Sequence, residues 1–185
     1  KALLLIKNDY KHFKAISKIS PLPLILYNVP SRTVVNIESS TVIRLSNEFK
    51  NIIGIKEASG NFNQITEILK YTPEDFIVLS GDDFTTLPLM CLGGHGVISV
   101  IGNALPQSTS QMVNEALKGD FAKARSLHLQ MHDLLMLIFK QGNPSGIKAL
   151  MSHRELCGNY LRLPLVPVSE ELFKSIALES DKISK

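Results

Sequence analysis

Four short apolar runs recur along the chain, and each ends in a cluster of polar residues. They are Leu22-Pro23-Leu24-Ile25-Leu26-Tyr27, Ile52-Ile53-Gly54-Ile55, Phe76-Ile77-Val78-Leu79-Ser80 and Gly96-Val97-Ile98-Ser99-Val100. None alternates apolar with polar, so each reads as a strand covered on both faces, the habit of a parallel sheet. Ala2 to Ile6 reads as a fifth strand of the same kind. Helical spacing fills the intervals. Tyr10, Phe13 and Ile16 mark a helix over 9–17. Val42, Ile43 and Leu45-Ser46 mark one over 39–47. Ile65, Ile68 and Leu69 mark one over 63–71, and residues 85–92 are apolar nearly all round. Strand and helix in strict turn, with short connectors, constrain the chain to right-handed βαβ units.

The glycines at Gly93-Gly94-His95-Gly96 follow a helix and precede a strand. A dinucleotide-binding turn needs the reverse order, so they read as a helix C-cap and tight turn. After Asn103 the strands stop. Helices are expected over 106–117, which begins with proline and ends before glycine, over 121–139, over 144–156 with Asn143 as cap, and over 169–178. The expected organisation is an α/β part over 1–118 and a helical part over 119–185.

Composition narrows the function. Of 185 residues, 44% are hydrophobic and 20% charged, and the net charge is +3 without a dense basic tract. That balance fits a soluble globular protein and gives no sign of a nucleic-acid or membrane partner. No apolar run reaches the length of a membrane span, and no secretory signal is read at the start, so a cytoplasmic location is expected. Cys91 and Cys157 fit no zinc or redox spacing and read as free thiols. His128 and His132 share a helix face, but Leu129 stands where the metalloprotease pattern requires glutamate. No metal site is expected; two surface or interface histidines are.

The chemistry collects after the strands. Tyr27-Asn28-Val29-Pro30-Ser31-Arg32-Thr33 follows the first, Lys56-Glu57-Ala58-Ser59-Gly60 the second, Ser80-Gly81-Asp82-Asp83 the third and Gly102-Asn103 the fourth. In parallel α/β folds these carboxyl ends share one face, and that face holds the site. A lysine closing a buried strand is costly to keep charged, which favours the neutral, nucleophilic amine that forms a Schiff base with a carbonyl. Tyr27 is a candidate proton shuttle for such a reaction. The planar fork of Arg32 suits a carboxylate. Each has an ordinary alternative: a solvated strand-end lysine, a packed tyrosine, a surface arginine. At least one of Asp82 and Asp83 is expected to cap the following helix.

These motifs, with Leu79-Ser80-Gly81-Asp82-Asp83, Gly96-Val97-Ile98-Ser99-Val100, Asn143-Pro144 with Ile147-Lys148, and Leu161-Arg162-Leu163-Pro164-Leu165, resemble the dihydrodipicolinate synthase (4-hydroxy-tetrahydrodipicolinate synthase) family of pyruvate-dependent class I aldolases. The resemblance runs in order from about Asp9 to Leu178. It implies the part of a (β/α)8 TIM barrel from about strand 4 or 5 to strand 8, followed by an all-helical region, in a cytoplasmic homotetramer. The implied activity is that of a carbon–carbon lyase condensing pyruvate with aspartate semialdehyde, in diaminopimelate and lysine biosynthesis. On this pattern Lys56 corresponds to the Schiff-base lysine and Tyr27 to the proton-relay tyrosine. Arg32 corresponds to the arginine that receives the aldehyde substrate's carboxylate, and Gly81 and Ile98 to positions lining the pyruvate pocket. No metal or organic cofactor is implied beyond the covalent imine on Lys56.

Two rivals stand beside this reading. One is another pyruvate aldolase such as an N-acetylneuraminate lyase, against which Arg32 and Thr33 argue because a sugar-acid substrate favours smaller residues there. The other is a truncated, non-catalytic remnant. A whole barrel has eight strands and about 250 residues, whereas four strands are clear here. The family's Gly-Thr-Thr-Gly-Glu-Ser segment and the tyrosine loop after its fourth strand have no counterpart in this sequence. Weak imine formation at Lys56 and poor complete turnover are therefore expected of this chain alone.

Overall fold

The β-branched runs become strands and the 3.6-residue patterns between them become helices. The computed structural model describes residues 9–183; the expected strand at Ala2 to Ile6 lies outside them. The order is α1 (Asp9–Ile19), β1 (Leu24–Asn28), α2 (Pro30–Thr33), α3 (Ser39–Glu48), β2 (Ile52–Glu57), α4 (Phe62–Tyr71), β3 (Ile77–Ser80), α5 (Thr86–Cys91) and β4 (Gly96–Val97). A 3-10 turn (Ile101–Asn103), α6 (Pro106–Leu117), α7 (Phe121–Phe139), α8 (Ser145–His153) and α9 (Glu170–Asp181) follow.

All three strand pairings are parallel, and the strands lie in the order β1-β2-β3-β4. That order never reverses. Successive crossovers of one hand therefore run the same way round the sheet, the winding of a barrel sector rather than of a doubly wound sheet.

One face of the sheet is packed. Leu26, Ile55 and Val78 are neighbours in register on it, and they join Val42, Leu45, Ile65 and Ile68 from α3 and α4 in the buried core. The opposite face is only partly covered: Ile25 is 45% and Tyr27 46% exposed. The continuous apolar runs had implied cover on both faces, and among the described residues the second face lacks it. The polar strand-end residues survive there because the face stays accessible.

The chain divides into two compact units, the first ending at Ile98 and the second beginning at Ser99. In the second, α6 packs along α7, and α9 against α7 and α8. Gly146 lets α8 approach α7 closely, since a Cβ there would lie 1.8 Å from the carbonyl oxygen of Ile138. Several helix ends follow their sequence signals: Asn61 accepts from the Gln64 N–H, Asp120 from Lys123 and Ser169 from Leu172. Two do not. Helix α8 starts one residue later than expected with Pro144 as N-cap, and the Asn143 side-chain oxygen is buried without a partner instead of capping. Helix α5 starts at Thr86 with Thr85 as N-cap and no side-chain cap, so neither Asp82 nor Asp83 fills that role. The Asp82 carbonyl instead accepts from the hydroxyls of Ser80, Thr85 and Thr86, holding the chain in a turn before the helix can begin.

Candidate active site

The site is built by strand register. Tyr27 pairs with Lys56 and Lys56 with Leu79, so the three form one row across β1, β2 and β3. Side chains alternate along a strand, which puts this row on the partly open face with Ile25. Lys56 lies inside β2, followed by Glu57, rather than beyond the strand end.

The Lys56 amine sits 4.0 Å from the centroid of the Tyr27 ring. That is a cation–π contact, of about 0.5–1 kcal/mol at a site this exposed. The sequence reading made Tyr27 a candidate proton shuttle without saying which part of it meets the amine. The structure lays the ring face against the amine and leaves the hydroxyl without a hydrogen bond among the described residues. The sequence reading also assumed a lysine stripped of water, but Lys56 is only partly buried. What confines it is contact. A Cβ on Gly81 would lie 3.0 Å from Cε and 3.1 Å from Cγ of Lys56, so the absent side chain at Gly81 makes room for the lysine stem. The Gly81 N–H donates to the Glu57 carbonyl at 2.7 Å, which fixes the glycine beside β2.

Arg32 lies in α2, exposed, and its guanidinium makes no ion pair with any described residue. Ile98 is held at the end of β3 by its N–H donating to the Ser80 carbonyl at 2.9 Å, and its side chain is 45% exposed. Tyr27 and Gly81 thus each lie against Lys56. Arg32 follows β1, in α2, and Ile98 follows β4.

Asp82, in the turn after Gly81, has its carboxyl pushed up from the ordinary 3.8, chiefly by burial and further by the nearby Asp83, against the Phe84 N–H that it accepts. A separate cavity of about 380 Å³, with Lys50, Ile52, Asp75 and Phe76 in its wall, opens at the amino ends of β2 and β3. It lies at the opposite ends of these strands from Lys56 and Gly81. No group of three or more metal-ligating side chains forms among the described residues.

Sequence reasoning passed over what lies behind the row. Asn28, Glu57 and Gln64 are 1%, 1% and 6% exposed, and the amides of Asn28 and Gln64 both donate to the Glu57 carboxylate. The signal was available: in a strand, the residue after an inward lysine must face the other way.

The dihydrodipicolinate synthetase family model matches residues 6–179. The chain belongs to the dihydrodipicolinate synthetase family. It is 51% identical over 167 residues to the 4-hydroxy-tetrahydrodipicolinate synthase of Phocaeicola vulgatus, covering 90% of this chain and 56% of that protein. It is 46% identical over 162 residues to the synthase of Archaeoglobus fulgidus, covering 88% of this chain and 56% of that protein. The crystal structure of dihydrodipicolinate synthase from Aquifex aeolicus superposes with a TM-score of 0.90 at 40% identity, covering 94% of this chain and 59% of that one. The family's fold therefore holds here as a partial (β/α)8 barrel followed by a helical C-terminal region. The chain spans a little over half the length of these relatives.

Proposed function

We propose that Lys56 of this dihydrodipicolinate synthetase family member forms a Schiff base with pyruvate, as one half of the condensation of pyruvate with aspartate semialdehyde to 4-hydroxy-tetrahydrodipicolinate. The single observation that carries this is the Lys56 amine held at the Tyr27 ring and flanked by Gly81, in a row set by strand register. The amine attacks the keto carbon, a C–N bond forms, and water leaves to give the imine. A phenol within side-chain reach, with its hydroxyl uncommitted, suits the proton transfers that expel that water. Arg32 supplies an unpaired guanidinium for the carboxylate of the aldehyde substrate. Gly81 and Ile98 shape the pyruvate pocket. Nothing in this scheme calls for a metal or organic cofactor.

Diaminopimelate and lysine biosynthesis, a cytoplasmic setting and a homotetramer belong to the same proposal and rest on the family resemblance. One similar structure, 38% identical with a TM-score of 0.88, is described as a monomeric dihydrodipicolinate synthase variant, so assembly is a property to measure. Among the described residues no helix is long and apolar enough to cross a membrane. An N-acetylneuraminate-lyase-type activity is not favoured, because the quoted curated relatives bear the synthase name and Arg32-Thr33 stands in α2 after the first strand.

Product formation from pyruvate with aspartate semialdehyde, against pyruvate with N-acetylmannosamine, tests the substrate assignment. Slow product formation from pyruvate with the semialdehyde, and none from pyruvate with the amino sugar, is expected. Faster turnover with the amino sugar than with the semialdehyde counts against it.

A further inference from the structure

Directly behind the Tyr27–Lys56 row lies a buried polar hub. Glu57 follows Lys56 in β2 and therefore projects from the packed face of the sheet. Its oxygens accept from Asn28 Nδ2 at 3.1 and 3.0 Å, from Gln64 Nε2 at 3.1 Å and from the Ser59 N–H at 2.6 Å. Asn28 follows Tyr27 in β1 and pairs with Glu57 in register. Asn28 Nδ2 also donates to Asn36 Oδ1 at 2.9 Å, and Asn28 Oδ1 accepts from the Ile37 N–H at 3.0 Å. Asn36 Nδ2 closes the circuit by donating to Gln64 Oε1 at 2.8 Å. The hub thus ties together β1, β2, the start of α4 and the segment that returns from the Arg32 helix.

Its placement matters more than its strength. A slip of one residue between β1 and β2 would turn every side chain to the other face. It would separate Tyr27 from Lys56 and bring Asn28 and Glu57 out of the core. A buried network whose donors and acceptors match in only one register specifies that register more sharply than apolar packing does. We propose that Glu57 is a positioning residue: through Asn28 and Gln64 it holds the Lys56 amine against Tyr27 and anchors the segment that follows the Arg32 helix, without touching substrate. The kinetic part of this inference rests on the imine reading above; the geometric part does not.

Glu57→Gln keeps the shape but turns one acceptor into a donor facing donors. Two readouts are taken on the whole chain after circular dichroism and a thermal melt establish that the variant folds. The first is the NMR shift of the Lys56 ε-methylene protons, displaced upfield by the Tyr27 ring in the wild-type chain and assigned by its loss in Tyr27→Leu. The second is the rate of borohydride-trapped pyruvate adduct as a function of pyruvate concentration. The expected result is that Glu57→Gln moves the ε-methylene signal toward that of a free lysine. It is also expected to slow trapping at saturating pyruvate by about 10- to 100-fold, the scale of a small misplacement, with the half-saturating concentration unchanged.

A folded Glu57→Gln that keeps the ring-shifted signal overturns the inference. So does loss of the signal with an unchanged trapping rate, and so does a wild-type chain with no ring-shifted signal to lose. A wild-type chain that shows the signal, loses it in Glu57→Gln and traps no pyruvate leaves the positioning role standing and sinks the imine reading instead. If Glu57→Gln does not fold, Gln64→Met removes one of the same hydrogen bonds. It should shift the signal and slow trapping in the same sense by a smaller factor; no change in either overturns the inference.

Discussion

Lys56 is placed by its neighbours rather than by burial. The Tyr27 ring stands on one side of it and the bare Cα of Gly81 against its stem. Adding a methyl at Gly81 would meet Cε and Cγ of Lys56 and the Ala58 Cβ, all within about 3 Å. The lysine stem can move aside, but the Ala58 Cβ moves only with its backbone, so Gly81→Ala should lower both trapping rate and stability. The check is a lowered melting temperature beside a reduced rate of pyruvate adduct formation.

Asp82 carries a pH signature. Its carboxyl is raised in the folded chain, first by burial, so folding is favoured while it is protonated and the benefit is lost as pH rises from the ordinary 3.8 through the folded value. At neutral pH the ionised group therefore opposes folding. Asp82→Asn, which retains an oxygen for the Phe84 N–H, should raise stability at pH 7 relative to wild type and leave it little changed at pH 3, as read from urea midpoints at both pH values. Val34 carries strain. It ends α2 at φ 60°, a left-handed conformation disfavoured for a β-branched residue, and it is 90% exposed, so packing returns nothing. Val34→Gly should stabilise the chain by about 1 kcal/mol in chemical denaturation, despite glycine's larger entropy cost.

At the scale of elements, the polar clusters after each strand were legible because a parallel sheet must gather its carboxyl ends on one side. That rule gathered Tyr27, Lys56 and Gly81 at one end of the sheet, whereas Ile98 entered through the family resemblance. The rule could not set which atoms touch. Whether Tyr27 offers its hydroxyl or its ring face to the amine depends on rotamers and on the space at Gly81, neither of which is written in spacing. The open second face was also illegible, since Ile25 is as apolar as Ile55 and only the neighbours decide which is covered. Capping by Asp82 or Asp83 failed because hydroxyls two to four residues away bind the Asp82 carbonyl and delay the helix. In the helical unit, the close approach at Gly146 is equally a matter of neighbours. A Cβ there would meet the Ile138 backbone, which no rotamer change relieves. Gly146→Ala should destabilise by roughly 1–3 kcal/mol or more, seen as a lowered denaturant midpoint.

For the whole molecule, the order β1-β2-β3-β4 and the family match describe the same object: a sector of a (β/α)8 barrel with its helical C-terminal region. That sector carries Lys56, the residue proposed to form the Schiff base. Lys56 of this chain is proposed to form the imine, if slowly, by itself. The most direct measurement is intact-mass and peptide-level mass spectrometry after incubation with pyruvate and borohydride, on the wild-type chain and on Lys56→Ala. The expected result is one reduced pyruvyl adduct per chain, mapped to Lys56 and absent from Lys56→Ala. A folded wild-type chain with no adduct, or an adduct that persists on other lysines in Lys56→Ala, would contradict it.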